Sequence, residues 1–154
     1  LAQAYSVFAN QGVEYPATFI KLEKPPEGKQ VISPQVADEV LHMLQAVVAN
    51  GGTGTRARVP GYTVAGKTGT AYIAGPKGYD IHHKYIGSFV GITPVTNPRL
   101  VIAVVIVEPQ GQHLGAIVAA PAFAKVAGNA LRLLNVKPDD LEHAQDKVAV
   151  PFTE

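Results

Sequence analysis

The chain has 154 residues, a length that suits one globular domain of roughly 100–200 residues. Hydrophobic residues make up 47% of it and charged residues 16%, which supplies a core and excludes a wholly disordered chain. Thirteen Lys and Arg against twelve Asp and Glu leave a formal charge of +1, too small to indicate a nucleic-acid partner. The sequence contains no cysteine, so a disulfide scaffold, a thiolate metal site and a cysteine nucleophile are excluded.

The first ten residues have the pattern of a helix interior. Leu1, Ala4, Tyr5 and Phe8 recur at helical spacing, and Asn10-Gln11-Gly12 predicts the end of the helix. A domain seldom begins with an uncapped, half-apolar helix. We therefore expect the chain to be one piece of a longer protein.

A hairpin and a helix are predicted before the middle of the chain. Ala17–Leu22 alternates loosely and predicts a short strand, with Gln30–Ile32 as its hairpin partner. Ser33 and Pro34 predict a helix start, because a hydroxyl N-cap followed by Pro at the first helical position favours initiation. The apolar stripe predicted for this helix consists of Val36, Val40, Met43, Leu44 and Val47. Its predicted end is Asn50-Gly51-Gly52.

Three extended segments follow a Gly-rich loop, at Tyr62–Ile73, Tyr85–Thr93 and Leu100–Val107. The last is a continuous β-branched run, which is typical of a strand buried on both faces. The turn at Thr96–Arg99 is short enough to make the second and third segments an antiparallel hairpin. No apolar stretch approaches the roughly 18 residues that a membrane span requires.

A final helix is predicted at Pro121–Leu134, followed by a polar tail over residues 136–154. The residues predicted on its apolar face are Phe123, Ala127, Ala130, Leu131 and Leu134. Together the elements predict an α+β fold, in which a three-stranded antiparallel sheet has helices before and after it.

The segment Gly61–Thr68 satisfies the phosphate-loop pattern G-x-x-x-x-G-K-[ST]. A phosphate loop needs a buried strand before its first glycine and a helix that starts at the lysine. Arg58-Val59-Pro60 makes a poor buried strand, and the residues after Lys67 include two glycines and several β-formers. Nucleotide binding is therefore the weakest of the functional hypotheses.

A second motif, Lys67-Thr68-Gly69-Thr70, shares the same lysine and lies on a predicted strand. On an edge strand, Lys67 offers a fixed cation for a carboxylate, and the hydroxyls of Thr68 and Thr70 add donors. Gly69 has no side chain, so a substrate peptide can lie against the strand in β fashion. The amide N–H of Thr70 is then placed to donate in an oxyanion hole, which can be worth roughly 3 kcal/mol.

Other segments surround this motif in a fixed order. They are Leu1–Tyr5 with Phe8–Gly12, Gly51–Thr55, Gly61–Ala71, Tyr85–Gly91 and Ala119–Phe123. In this order they resemble the C-terminal part of the transpeptidase domain of class B penicillin-binding proteins, in particular the division-specific group of Gram-negative bacteria. The resemblance covers most of residues 1–135, and residues 136–154 follow it as the polar tail.

The resemblance implies a penicillin-binding protein/β-lactamase-like fold with a five-stranded antiparallel sheet, of which this chain supplies three strands. It implies a peptidoglycan D,D-transpeptidase that cross-links acyl-D-Ala-D-Ala stem peptides through a serine acyl-enzyme and is the target of β-lactams. No cofactor is implied. Lys67, Thr68, Gly69 and Thr70 then form the substrate-carboxylate and oxyanion wall. A periplasmic location in an inner-membrane-anchored bacterial protein, with partners in the division machinery, is implied as well.

The attacking serine is not found in this sequence. Ser6, Ser33 and Ser88 are its only serines, and none begins an S-x-x-K or S-x-N motif. We expect the N-terminal portion of the same protein, as a separate chain or as missing residues, to carry the nucleophile and its base. A serine β-lactamase or D,D-carboxypeptidase, and a non-catalytic β-lactam sensor, would share the same wall and stay open as alternatives.

Several aromatic and imidazole side chains lie near the motif. Tyr72, Tyr79 and Tyr85 are candidates for ligand contact, with ordinary strand and loop roles as the alternative. His82 and His83 are adjacent, and neighbouring histidines rarely both bind one ion. We therefore expect no metal site.

We expect the 154-residue chain by itself not to be labelled covalently by a fluorescent penicillin, because the serine that such a reagent acylates is absent. Fluorescence of the chain after denaturing electrophoresis is the measurement. A labelled band at 16.2 kDa would contradict the assignment of the nucleophile to another part of the protein.

Overall fold

The computed structural model of the chain describes residues 1–75, 78–79 and 84–142. Its helices are α1 (Ala2–Ala9), α2 (Pro34–Ala46), α3 (Gly115–Val118) and α4 (Ala120–Leu133), with a 3₁₀ turn at Thr55–Ala57. Its strands are β1 (Val13–Glu14), β2 (Lys29–Gln30), β3 (Ala65–Tyr72), β4 (Ala74–Gly75), β5 (Gly78–Tyr79), β6 (Tyr85–Thr93) and β7 (Leu100–Val107).

The central sheet has three antiparallel strands in the order β3-β6-β7. Strands β6 and β7 have the predicted bounds, and their hairpin pairs Thr93 with Leu100 around the predicted turn. Strand β3 begins at Ala65, three residues later than predicted, because the amide of Tyr62 donates to the Val59 carbonyl (3.0 Å) in a turn around Gly61. The predicted α+β class with an antiparallel sheet between helices is confirmed.

Each face of the sheet is covered by helices, and this produces two cores. Helix α4 packs on one face, where Phe89 of β6 contacts Phe123 with ring centroids 4.9 Å apart. Helices α1 and α2 pack on the other, where Leu41 and Leu44 meet Ile92. Because side chains alternate between the faces of a strand, neighbouring residues of β3 belong to different layers.

The strand predicted at Ala17–Leu22 is wrong. That segment is exposed, and Phe19 is fully exposed. Only two-residue strands form nearby, with β1 pairing with β2. Alternation predicts a strand only where one face has something to pack against, and the described residues provide no such surface here.

Helix α2 starts as predicted, since the Ser33 hydroxyl accepts a hydrogen bond from the amide of Val36 (3.2 Å). Its end and its buried face differ from the prediction. The helix stops at Ala46, and its buried residues are Ala37, Leu41 and Leu44. Val36 and Met43 are 44% and 65% exposed. Both stripes have helical spacing and differ by one residue of rotation, so periodicity alone could not choose between them.

Strand β7 is not buried on both faces as predicted. It forms an edge of the described sheet, and Val105 and Val107 are 51% and 60% exposed. A β-branched composition reports strand propensity, whereas burial depends on which elements cover the strand.

Helices α3 and α4 together form the stretch Gly115–Leu133, which by length and composition alone is apolar enough to cross a membrane. This differs from the sequence expectation, which counted only uninterrupted apolar residues. The buried face of α4 consists of Ala120, Phe123, Ala127 and Leu131, so the predicted members Ala130 and Leu134 lie outside it. A helix with one buried stripe against a sheet has the pattern of a core helix.

Residues 136–140, the first part of the predicted polar tail, are attached to the body of the domain and are called the strap below. The two carboxylate oxygens of Asp139 accept hydrogen bonds from the Thr63 amide (2.8 Å), the Thr63 hydroxyl and the Thr96 hydroxyl (2.7 Å). Partial burial raises the pKa of Asp139, but these hydrogen bonds outweigh it and leave that pKa below its usual value. The end of the predicted tail, residues 143–154, lies outside the described residues.

We expect Asp139→Asn to lower the free energy of unfolding by about 1–3 kcal/mol at pH 7, because charge-assisted hydrogen bonds are lost. A carboxylate with a lowered folded-state pKa stabilises the fold above its unfolded pKa of about 3.9, and this contribution disappears as pH falls through the folded value. Urea unfolding between pH 7 and pH 3 measures the difference between variant and wild type. A difference that stays constant down to pH 3 would contradict the role of the charge.

Candidate active site

The Lys67–Thr70 motif lies on the outer edge strand of the central sheet, as the sequence predicted. Strand β3 pairs with β6 on one side, with Gly69 opposite Ser88 and Thr70 opposite Gly87. The amide of Ile73 donates to the carbonyl of Lys84 (2.9 Å), so the backbone groups of Ile73 point toward β6, and so do those of every second residue before it, including Gly69 and Lys67. Because antiparallel ladders alternate, the N–H and C=O groups of Thr68 and Thr70 point away from β6. No other strand of the described residues pairs with that edge.

Lys67 is exposed, and its ammonium donates to the carbonyl of the next residue, Thr68 (2.9 Å). No carboxylate among the described residues forms an ion pair with it. The cation is therefore held at the open edge of β3 without a counter-charge from the described part of the chain. Such a site favours an anionic ligand.

Gly69 is required by its neighbour across the ladder. A Cβ atom at this position would lie 2.5 Å from the hydroxyl oxygen of Ser88. Among the described residues, no lysine, histidine or carboxylate forms a hydrogen bond with the Ser88 hydroxyl. None of these groups is therefore placed to act as a general base that would activate Ser88 as a nucleophile. Ser6 and Ser33 donate or accept bonds within helices and lie away from the motif in sequence.

The hydroxyls of Thr68 and Thr70 share one face of β3, and each has a partner that sequence reasoning did not assign. The Thr68 hydroxyl lies 3.3 Å from the hydroxyl of Thr53, in the loop after α2. The Thr70 hydroxyl accepts a hydrogen bond from the amide of Gly115 (3.1 Å). An accepted bond orients the Thr70 hydroxyl and leaves its own proton available for donation. The Gly51–Thr55 segment already carried the family resemblance and could have drawn attention to Thr53.

The short helix α3 reaches Thr70 because two glycines let it approach the sheet. A Cβ on Gly115 would lie 2.2 Å from the Ser88 carbonyl oxygen and 2.3 Å from that of Gly69. A Cβ on Gly87 would lie 2.6 Å from the Val118 side chain. Helix α3 was not predicted from the sequence, since four residues carry too little periodicity.

The three candidate tyrosines cluster at the far end of the same strand face. Tyr72 packs against Tyr79 and Tyr85, with ring centroids 6.3 Å and 4.8 Å away. His113, which sequence reasoning missed, stacks on Tyr85 at 3.9 Å. The Tyr85 hydroxyl donates to that of Tyr72 (3.5 Å), and this hydrogen bond, with desolvation, raises the pKa of Tyr85. The cluster is an exposed aromatic surface next to Thr70, with Tyr79 76% exposed.

Two other hypotheses concern a phosphate loop and a metal site. Lys67 lies inside a strand and no helix starts there, so the segment Gly61–Thr68 is not a phosphate loop. The pair His82 and His83 lies outside the described residues. Within the described part of the chain, no group of three His, Asp or Glu side chains could hold a metal ion.

Penicillin-binding proteins and serine β-lactamases share the Lys-Thr-Gly motif, and this chain carries it on an edge strand of an antiparallel sheet between helices. The chain belongs to the family of penicillin-binding protein transpeptidase domains, whose sequence profile matches residues 1–128.

Relatives and a solved structure agree with this family. The chain is 43% identical over 151 residues to a probable peptidoglycan D,D-transpeptidase PbpC from Pseudomonas aeruginosa, covering 97% of the chain and 26% of that protein. It is 38% identical to the peptidoglycan D,D-transpeptidase FtsI of Escherichia coli, covering 92% and 24%. The transpeptidase domain of Burkholderia pseudomallei penicillin-binding protein 3 superposes with a TM-score of 0.81 at 47% identity, covering 90% and 42%. The chain thus spans about a quarter of the length of these curated relatives.

We expect Gly115→Ala in the full-length protein to slow acylation by a fluorescent penicillin about 10-fold or more, because the new Cβ forces α3 away from Thr70. Stopped-flow fluorescence gives the second-order rate constant. Gly75→Ala is the matched control, since its Cβ would meet its nearest neighbour at an ordinary 3.6 Å. Equal rate constants for the two variants would show that the Gly115–Thr70 contact does not matter.

Proposed function

We propose that this chain forms the substrate-carboxylate and oxyanion wall of a peptidoglycan D,D-transpeptidase. The observation that carries the proposal is the outer edge of β3, where four consecutive residues bring together an exposed lysine, two oriented hydroxyls and an outward amide. The names of the relatives support the same activity.

The terminal carboxylate of an acyl-D-Ala-D-Ala peptide is anionic, and so is the carboxylate of a penicillin. Lys67 supplies the charge that attracts either one, and the hydroxyls of Thr68 and Thr70 donate hydrogen bonds to it. Bonds to a charged group are worth about 1.5–3 kcal/mol each, roughly twice those between neutral groups. Gly69 adds no side chain between Thr68 and Thr70, so the peptide backbone can run alongside β3.

The outward N–H of Thr70 acts in the acyl-transfer step. A serine oxygen from another part of the protein attacks the D-Ala-D-Ala carbonyl carbon, and its proton passes to a base also outside this chain. The carbonyl oxygen becomes an oxyanion that accepts the Thr70 N–H bond. Its collapse breaks the C–N bond, and the base gives its proton to the leaving nitrogen, which releases D-Ala. A stem-peptide amine then attacks the ester and forms the new amide, and its proton passes through the base to the serine oxygen, which regenerates the serine. A β-lactam undergoes only the acylation step, in which the C–N bond of its ring breaks, and it remains bound to the serine as an ester.

The surrounding surface would hold the rest of the substrate. The packed rings of Tyr72, Tyr79 and Tyr85 form an aromatic surface beyond Thr70, and we expect the acyl part of a stem peptide or β-lactam to contact it. We place the domain in the periplasm, in an inner-membrane-anchored protein of septal cell-wall synthesis that works with division-machinery partners.

We expect Lys67→Ala in the full-length protein to lower the second-order rate constant for penicillin acylation about 10- to 100-fold, since a charge-assisted contact of about 1.5–3 kcal/mol is lost. Lys125→Ala, which removes an exposed lysine from α4, is the control. Mass spectrometry of cross-linked muropeptides made from purified substrate tests the transferase step. Acylation of Lys67→Ala at the wild-type rate, or rapid hydrolysis of the acyl-enzyme without cross-linking, would overturn the proposal.

A further inference from the structure

The strap contacts every residue of Gly61-Tyr62-Thr63, the tripeptide that leads toward β3. The carbonyl of Gly61 accepts hydrogen bonds from the amides of Asp139 and Asp140, both at 3.1 Å. The hydroxyl of Tyr62 donates to the carbonyl of Val136 (2.7 Å). These contacts join segments more than 70 residues apart in the sequence.

Thr63 is the central residue of this junction. Its amide and hydroxyl both donate to Asp139, while its hydroxyl accepts from the amide of Val95 (2.8 Å). Its carbonyl accepts from the hydroxyl of Thr93 (2.8 Å), which is fully buried. All the polar groups of Thr63 are thereby bonded to Asp139 or to residues at the end of β6.

A short and rigid path connects Thr63 to the proposed substrate wall. Val64, Ala65 and Gly66 are all buried, and Lys67 follows directly. A strand advances about 3.3 Å per residue and cannot absorb a shift by bending where both faces are packed. A displacement of Thr63 along the strand direction would therefore reach Lys67 and Thr70.

We propose that Asp139 is a positioning residue for the transpeptidase site: through Thr63 it fixes the position of the start of β3, and with it Lys67 and Thr70, relative to the reacting serine. The strap lies beyond residues 1–128, which the family profile matches. Thr96 on the β6–β7 turn gives Asp139 a second anchor, so the carboxylate ties the start of β3 to the neighbouring hairpin. This inference rests on the proposed function.

The test compares acylation rate with acylation extent in the full-length protein. Asp139→Asn keeps the size of the side chain but loses its charge, and Thr63→Val keeps the shape of Thr63 but loses its hydroxyl. We expect both to lower the second-order rate constant for a fluorescent penicillin about 5- to 50-fold, with the final labelled fraction unchanged. Both roles lower the melting temperature of Asp139→Asn. A merely structural role would also reduce the labelled fraction, and it would leave the rate constant of the remaining active protein unchanged.

Three further variants make the result specific. Thr63→Ser retains the hydroxyl and should restore a rate constant close to wild type. Glu142→Gln removes an exposed carboxylate three residues after Asp139 and should label at the wild-type rate. The double variant that combines Asp139→Asn with Thr63→Val should slow acylation by less than the product of the two single effects, because both changes break the Thr63 hydroxyl–Asp139 contact.

The outcomes separate this inference from the function on which it rests. Wild-type rate constants in Asp139→Asn and Thr63→Val, with wild type labelled normally, would overturn the positioning role alone. Failure of the wild-type protein to be labelled at all would overturn the proposed function and the positioning role with it.

Discussion

The hydrogen-bond ladder between β3 and β6 decides which groups of the Lys67–Thr70 segment can meet a ligand. In an antiparallel pair, inward and outward amides alternate, so satisfying Gly69 inward leaves Thr68 and Thr70 facing the outer edge. The same alternation puts the Lys67 side chain on the opposite face of the strand from the two hydroxyls, but its ammonium reaches the same outer edge, where it donates to the outward carbonyl of Thr68. A shift of register by one residue would exchange all of these positions and destroy the wall.

The second constraint is the close approach of neighbouring backbones around the wall, which is possible only because glycines stand at the contact points. Gly69 makes room for Ser88, while Gly87 and Gly115 let α3 lie against the sheet. The amide of Gly115 can then reach the hydroxyl of Thr70. Side-chain orientation in the wall therefore depends on backbone contacts from elements far away in sequence, which hold the donors before a ligand arrives.

The sequence predicted the long elements with strong local signals and missed those that depend on packing. The Ser33–Pro34 start of α2 and the β6–β7 hairpin were correct, because an N-cap and a short turn act within a few residues. The strand at Ala17–Leu22, the buried stripe of α2 and the double burial of β7 were wrong. In all three cases the local pattern was compatible with the prediction. Which residues are buried depends instead on where the covering helices and strands lie among the described residues.

The sequence by itself determined the family, the Lys67-Thr68-Gly69-Thr70 motif and its place on a strand, because residue identity and short-range periodicity carry that information. Only the tertiary structure decided that Thr53 and Gly115 hold the two hydroxyls, that His113 joins the tyrosines, and that Asp139 fixes Thr63. These contacts join residues 15 to 76 positions apart. No local pattern encodes such pairs, since they exist only after the sheet and its helices have packed.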